Sequence, residues 1–418
     1  MKVLFIASAF PRAAGDVITP WLVEMIHRLQ QRGIVVEVLA PAYRGQGNQV
    51  VHDIQVHRFR YGPARWETLT HDQTAPDRIR ERPLFLALVP GYMLCGSFAA
   101  ARLVRSGAFD LVHAFWPVPH GLMGIVAKRF GRVALVCTFF GVELTWIDAQ
   151  LPFLRPILRM IVRASDAVTA ISSYTAERLR QVVPGTRVTI VPFGVAVRAP
   201  PVQVERGRPA RIEGFELLFV GRLVERKGVH VLLEALALLR DSHPVFARVV
   251  GDGPERAALE SRAAALGVED RVLFEGAIPR EQLEQRFASC DAVVLPAVKD
   301  AKGDTEGLGV VLLEAFSYAK PVIASSAGGI VDIVEPDVSG VLVPPGDADA
   351  LAKAITACIA DPVRTAAMGV AGRARLEREF SWPVIVERLT DVYQQVIRRP
   401  LRQSAASRAA DQHRSATK

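Results

Sequence analysis

The stretch ELLFVGRLVERKGVHVLLEALALLR, residues 216–240, begins as an apolar run, passes through a basic loop and ends as a helical pattern. ELLFVG is the continuous apolar run expected of a parallel strand buried on both faces. VHVLLEALALLR reads as helix, and GRLVERKG (221–228) joins the two with a glycine at either end. Strand, loop and helix together form the repeating unit of a doubly wound α/β sheet.

The unit recurs on both sides. Upstream lie KVLFIAS, IVVEVLAP, FDLVHAF (109–115), ALVCTFF (134–140) and AVTAIS (167–172), each followed by a loop and a helical pattern. One of those helices, TPWLVEMIHRLQQRG, has Pro20 near its start and Gly33 at its end, the usual terminal residues. Downstream follow ARVVGDG, RVLFEG, AVVLPAV, PVIAS and GVLVPP. Between the two series, AVRAPPVQVERGRPARIEG (196–214) is rich in Pro, Arg and Gly and reads as a linker. A chain of 418 residues also exceeds one ordinary core. The expected architecture is therefore α/β, with Rossmann-like domains at 1–195 and 215–381. A helix at 382–399 closes the folded part, and 400–418 is a disordered basic tail. Ligands of open sheets bind beyond the carboxyl ends of the strands, so a cleft between the domains is where chemistry is expected.

The net charge of +8 narrows the partners. Residues 398–418 hold six Lys or Arg and one Asp, so the tail carries five of those charges and the body about three. That is no nucleic-acid footprint. Cys95, Cys137, Cys290 and Cys358 are scattered, as buried free thiols of a reducing compartment would be. MKVLFIASAF is too short an apolar stretch for a signal peptide and reads as the first strand. PLFLALVPGYMLCGSFAAA (83–101) has no charge over 19 residues but is interrupted by Pro90-Gly91; buried helical material is the expectation. A cytoplasmic protein follows, soluble or peripheral at the inner face of a membrane.

Three loops after strands carry the chemistry. GRLVERKG places Arg222 and Lys227 at a helix N-terminus, where backbone N–H groups and two cations suit a diphosphate. GDGP (251–254) is a tight glycine turn after a strand. DTEGLGVVLLEAF (304–316) brackets an apolar run with Glu306 and Glu314, and buried acids need partners. Gly307 and Gly309 would let backbone N–H groups approach a ligand. One acid could face a sugar and the other a ribose diol. Spacing alone leaves capping or salt-bridging of both acids open.

With these motifs in order, the chain resembles glycosyltransferase family 4, the retaining GT-B enzymes that use nucleotide-diphosphate sugars. The resemblance rests on GRLVERKG, VGDGP, FEG, the E-x7-E pair Glu306/Glu314, KPVIASSAGGIVDIV, SGVLVPPGD and FSWPVIVERLTDVY. In the first half it rests on FPRAAGD, FDLVHAFWP, TFFGVEL, DAVTAISSYTAERL and VPFGV. It implies that Arg222 and Lys227 bind the donor diphosphate and stabilise it as leaving group. Glu314 would hold the ribose hydroxyls. Glu306, with the N–H groups of Gly307, Leu308 and Gly309, would hold the donor sugar. Gly15 and Asp16 would close over the diphosphate, Gly251 and Ile278 would line the donor side, and the base would be read near Phe274–Ile278. The final helix would cross back to the first domain. No metal or cofactor is implied, and the sequence offers no Asp-x-Asp in a setting suited to clamping Mg²⁺ or Mn²⁺. The acceptor would attack from the face the diphosphate leaves, without a protein nucleophile.

Two departures stand out. Phe140 occupies the place of a histidine found in many members, and it can neither take a proton nor donate a hydrogen bond. Ala14-Gly15 replaces a glycine pair. His113, His120, Phe140 and Glu143 are the acceptor-side candidates, with structural roles for the histidines and a capping role for Glu143 equally open. Arg155, Arg159 and Arg163 recur every four residues, a solvated face or a stripe for an anionic membrane or lipid-diphosphate acceptor. The expected function is sugar transfer to a saccharide or to a polyprenyl or other lipid-linked acceptor in cell-surface glycan or glycolipid synthesis. Competing readings are a sugar-nucleotide epimerase, a phosphorylase-like enzyme, or a non-catalytic nucleotide-sugar-binding protein.

Overall fold

The structure is a computed structural model describing residues 1–16, 18–149, 151–198 and 214–398. It contains two sheets. The first comprises β1 Lys2–Ile6, β2 Val35–Pro41, β3 Gln49–Val51, β4 Ile54–Phe59, β5 Leu111–Phe115, β6 Ala134–Phe139, β7 Ala167–Ala170 and β8 Thr189–Ile190. Its order is β3-β4-β2-β1-β5-β6-β7-β8, parallel except for the β3–β4 pair. The second comprises β9 Phe215–Val220, β10 Val245–Val250, β11 Val272–Gly276, β12 Ala292–Leu295, β13 Val322–Ser325 and β14 Gly340–Val343. Its order, β11-β10-β9-β12-β13-β14, is the doubly wound arrangement in which the strand order reverses beside β9. The loop after β9, GRLVERKG, therefore opens at the switch point.

Apolar runs became central strands. Every residue of LVHAF (β5), ALVCTF (β6), AVVL (β12) and VIAS (β13) is buried, as strands covered on both faces must be. Within β1 the alternation sorts side chains between two cores. Leu4 and Ile6 join the one that contains Met123 and Ile161, whereas Val3 and Phe5 join one continuous with the second domain. The β3–β4 hairpin was not legible, because His57 and Arg58 interrupt its apolar pattern.

The helix Trp382–Arg398 returns to the first domain and packs on the helix Pro20–Gln31. A polar chain anchors it. The Tyr393 hydroxyl lies 2.7 Å from His113 Nδ1, and His113 Nε2 lies 2.6 Å from Thr138 Oγ1, which meets Thr169 Oγ1 at 2.5 Å. Burial pushes the His113 pKa down to about 3, so the ring is neutral and both nitrogens are engaged.

The uncharged run 83–101 departs from expectation. It forms a short 3₁₀ turn, Pro83–Ala87, and the helix Leu88–Ser106, but only one edge of that helix (Tyr92, Gly96, Ala100, Val104) is buried. That edge packs on the helix Pro117–Gly131, and none of the described residues covers the opposite side, where Leu94 is 72% and Phe98 71% exposed. Most of the proposed linker (199–213) and the tail (399–418) lie outside the described residues.

Tyr393→Phe would leave His113 Nδ1 buried without its partner. The expected cost is about 1–3 kcal/mol of stability, read as a lower denaturation midpoint. An unchanged midpoint would show that the crossing helix is held by apolar packing alone.

Candidate active site

Two loops of the second domain meet backbone to backbone. Leu223 N donates to Asp252 O at 2.9 Å and Gly221 N to Val250 O at 2.9 Å. Gly251, at φ 130°, has no room for a side chain, since a Cβ there would overlap Gly221 O. GDGP is thus a close-approach device rather than a plain turn, and it shapes the loop that carries the cations. After the turn Glu225–Lys227 the helix Val229–Leu239 begins. Lys227 points inward. Arg222 is exposed and makes no hydrogen bond or ion pair among the described residues.

Lys227 Nζ lies 2.5 Å from Glu306 Oε2, and Gly309 N donates to Glu306 Oε1 at 3.2 Å. Burial alone would raise the Glu306 pKa. The charge and hydrogen bond of Lys227, with Arg226 and the Gly309 amide, outweigh it and hold the pKa below the usual carboxylate range. The Glu306 carbonyl accepts from Gly329 N at 3.0 Å, and Gly328 packs so closely on it that a Cβ would overlap. The SSAGG loop therefore backs the DTEGLG loop, a role its glycine pair could have signalled. Glu314 sits on the helix Val310–Ser317, which starts directly after Gly309. Its carboxylate makes no hydrogen bond among the described residues. Burial pushes its pKa up, against the opposing pull of Arg280 and Arg198. The E-x7-E pair thus supplies one ionised acid held by a lysine and one unpartnered acceptor. Ile278, in the loop after β11, is partly buried against the core.

The first domain faces these loops. Gly307 lies against Phe140, with the site of a Cβ on Gly307 3.4 Å from Phe140 O. Phe140 stacks on Trp116 (ring centroids 4.6 Å apart) and contacts Trp21 and Phe193, forming an aromatic cluster that sequence reasoning missed. Across the same seam Asp332 accepts from Ser173 N and Ser173 Oγ, both at 2.5 Å, and Thr145 Oγ1 donates to Asp304 Oδ1 at 3.3 Å. No local pattern announces a contact between residues 159 apart. Asp16 accepts from Arg12 Nε at 2.6 Å and from Ile18 N at 3.3 Å, which shapes its loop, while Gly15 is exposed with open space beside it.

Three acceptor-side candidates are tied into the scaffold. His113 belongs to the Tyr393–Thr138 chain. His120 Nδ1 meets the carbonyls of Phe115 and Trp116 at 3.0 Å, and its Nε2 meets Tyr92 at 2.9 Å. Burial pushes its pKa down to about 4. Neither histidine offers a ring nitrogen to a ligand, because strands β5 and β6 and two helices close around them. Glu143 Oε1 accepts from Phe140 N at 2.9 Å, just ahead of its own helix, Val142–Ala149. Its Oε2 is buried without a hydrogen-bond partner among the described residues, and burial pushes the pKa up to about 7. The chain's one Asp-x-Asp, Asp347-Ala348-Asp349, starts a helix: Asp347 Oδ1 accepts from Ala350 N at 2.8 Å. No group of three or more His, Cys, Asp or Glu among the described residues could hold a metal ion.

Two family models match the chain: Glycosyltransferase Family 4 over residues 20–198 and Glycosyl transferases group 1 over 207–375. The chain belongs to glycosyltransferase family 4. The family's two-domain plan also appears in solved structures. A sucrose-phosphate synthase from Thermosynechococcus elongatus superposes with a TM-score of 0.73 at 22% identity, covering 94% of this chain and 98% of that one. Anabaena HepE in complex with UDP and glucose gives 0.68 at 24%, covering 94% and 100%. Both show a shared GT-B fold. Among curated family members, a GDP-mannose-dependent alpha-(1-6)-phosphatidylinositol monomannoside mannosyltransferase of Mycolicibacterium smegmatis is 35% identical over 311 residues, 72% of this chain and 81% of its own length. A GDP-mannose-dependent monoacylated counterpart from Corynebacterium glutamicum is 33% identical over 71% and 79%. This family-4 chain is a glycosyltransferase.

The buried Glu143 gives a pH signature. Its pKa in the folded chain is about 7 against an ordinary 4.5, so its contribution to stability is fully present below 4.5 and is lost as pH rises through 7. Glu143→Gln removes that dependence. Between pH 4.5 and 8 the wild type should lose roughly 2–3 kcal/mol relative to the variant in denaturation. Parallel pH profiles would show that Glu143 titrates normally.

Proposed function

We propose that the chain transfers mannose from GDP-mannose, with retention of configuration and without a metal, to a saccharide headgroup carried by a lipid. The reaction would take place at the cytoplasmic face of a membrane. The Lys227–Glu306–Gly309 arrangement carries this reading, set against the Phe140 backbone with unpartnered Glu314 one helical stretch away. The choice of GDP-mannose and of a lipid-borne acceptor draws on the mannosyltransferase relatives.

The chemistry follows from the charges. A diphosphate leaving group gains negative charge as the glycosidic bond breaks, and fixed cations in a water-poor cleft stabilise it. Lys227 keeps two of its three N–H donors for phosphate while Glu306 holds the third. Arg222, exposed beside it, adds a second cation. These two groups take the neutralising role that a divalent metal has elsewhere. Glu314 accepts from the ribose hydroxyls. Glu306, pinned by Lys227 and Gly309, orients the donor sugar rather than attacking it. The departing phosphate then takes the acceptor hydroxyl's proton on the same face, which retains configuration. Gly15 and Asp16 cover the diphosphate from the first domain.

Thermal denaturation with GDP-mannose, GDP, UDP-glucose or UDP tests the donor. GDP-mannose at 100 times its Kd should stabilise the wild type by about 2.7 kcal/mol. Lys227→Ala should lose that shift and Glu314→Ala should weaken it by at least half. A larger shift with UDP-glucose would replace the donor, and no shift with any of the four would overturn the site. Transfer of labelled mannose to a lipid extract, with the anomeric configuration read by NMR, tests the rest. An inverted product, or turnover abolished by EDTA, would refute retention or metal independence.

A further inference from the structure

Within the segment Pro83–Ser106 the most apolar 18-residue window has a mean hydropathy of 1.8, yet only 22% of that window is buried. By length and composition it is the one helical stretch among the described residues that could cross a bilayer. Its outer side is ordered along the helix: Pro90, Leu94, Phe98 and Arg102 recur every four residues and are all exposed. Leu84 and Leu86 extend the apolar strip at one end, and Arg105 joins Arg102 at the other.

Two more helices lie on this side. Leu88–Ser106 packs on Pro117–Gly131, which packs on Arg155–Ala164. Their inward residues, including Ala100, Met123 and Ile161, fill one core, so their outward faces share a surface. Phe130, Met160 and the 70% exposed Phe153 add apolar side chains to it. Its charge is one-sided. Segments 82–106, 117–132 and 151–164 contain nine Lys or Arg and no Asp or Glu. Because the body outside the tail carries only about three net positive charges, the remainder of that body is net acidic. A monomer seldom leaves so large an apolar patch in water without a use for it.

We infer that the outer face of these three helices docks on the surface of an anionic lipid bilayer, with Leu94, Phe98 and Phe153 inserted below the headgroups. Exposed apolar side chains framed by arginine are what an interfacial surface needs. A second copy of the chain fits poorly, because a symmetric contact would bring two net-positive faces together: Asp148 beside Arg155 and Asp166 beside Lys128 offset only part of the charge. Full insertion would strip the helix of its inner contacts, among them Tyr92 hydroxyl to His120 Nε2 at 2.9 Å. The inference deepens the membrane position proposed above. It uses the apolar strip rather than the 155–163 arginine stripe alone, and it can be tested without turnover.

The test is flotation of the full chain with vesicles of phosphatidylcholine alone or mixed with phosphatidylglycerol. The wild type should float with the anionic vesicles only, more weakly as salt is added. Leu94→Glu/Phe98→Glu should lower the partition coefficient about tenfold, and the milder Phe98→Ser about threefold. Val363→Glu, on an exposed site of the second domain, should match the wild type. The basic tail is present in every sample, so its contribution is common to all. Equal flotation of wild type and Leu94→Glu/Phe98→Glu, or no flotation of the wild type, would overturn the inference. So would protein that resists an alkaline carbonate wash, which marks a spanning helix, or a lipid-free dimer that Leu94→Glu/Phe98→Glu disrupts. The GDP-mannose thermal shift, measured on the same variants, reports the donor site separately, so membrane and donor readings can fail independently.

Discussion

Burying the carboxylate of Glu306 would cost several kcal/mol if it stood alone, and much of the site is arranged around preventing that. Lys227 supplies the counter-charge at 2.5 Å and the Gly309 amide supplies a hydrogen bond. For Lys227 to reach, the loop after β9 must lie close against the loops after β10 and β12. That demands glycines where backbones touch, at Gly251 against Gly221 and at Gly328 against the Glu306 carbonyl. The ion pair, the tight loops and the switch-point position are one constraint seen from three sides.

The same pair governs what the cleft can hold. A lysine already bound to one carboxylate oxygen keeps two N–H donors free, and a carboxylate held on both oxygens has little freedom to turn. Glu314 has the opposite setting, unpartnered and pushed toward its neutral form by burial. The two acids of the E-x7-E pair are therefore pushed in opposite directions by their surroundings alone. The first domain contributes a wall rather than a second set of charges. Phe140, in the place a histidine often takes, is part of an aromatic cluster with Trp21, Trp116 and Phe193. What it brings to Gly307 is its backbone carbonyl and an apolar surface.

Domain closure has its own polar seam. Asp332 meets the first turn of the helix Ser173–Val182, and Asp304 meets Thr145. These contacts connect the SSAGG loop and the DTEGLG loop to the first domain. The crossing helix adds the Tyr393–His113 link on the far side of the core. Sugar transfer needs both domains to present groups to one small volume, and these links fix their spacing.

Much of the fold was legible because buried parallel strands leave continuous apolar runs, and ELLFVG, ALVCTFF and AVVLPAV are of that kind. The hairpin at 49–59 was not, since a partly exposed edge carries polar residues that blur the pattern. Glu306 and Glu314 could be singled out because an acid beside glycines and apolar residues is locally improbable, and Lys227 because it stands in a glycine-bounded loop at a helix N-terminus. For His113, His120 and Glu143 the sequence left structural and acceptor-side roles open, because a residue type shows what a side chain can do, while only packing decides which of its atoms remain available. The uncharged run 83–101 fails for a related reason: hydropathy measures the wish to leave water, not whether another element arrives to cover it. The sequence by itself determined the strand–helix alternation, the two domains and the charged loop residues, since each depends on neighbours in the chain. Tertiary structure alone decided the Lys227–Glu306 pairing, the Ser173–Asp332 seam and the uncovered apolar face. Those depend on distances between residues far apart in sequence, which no local pattern encodes.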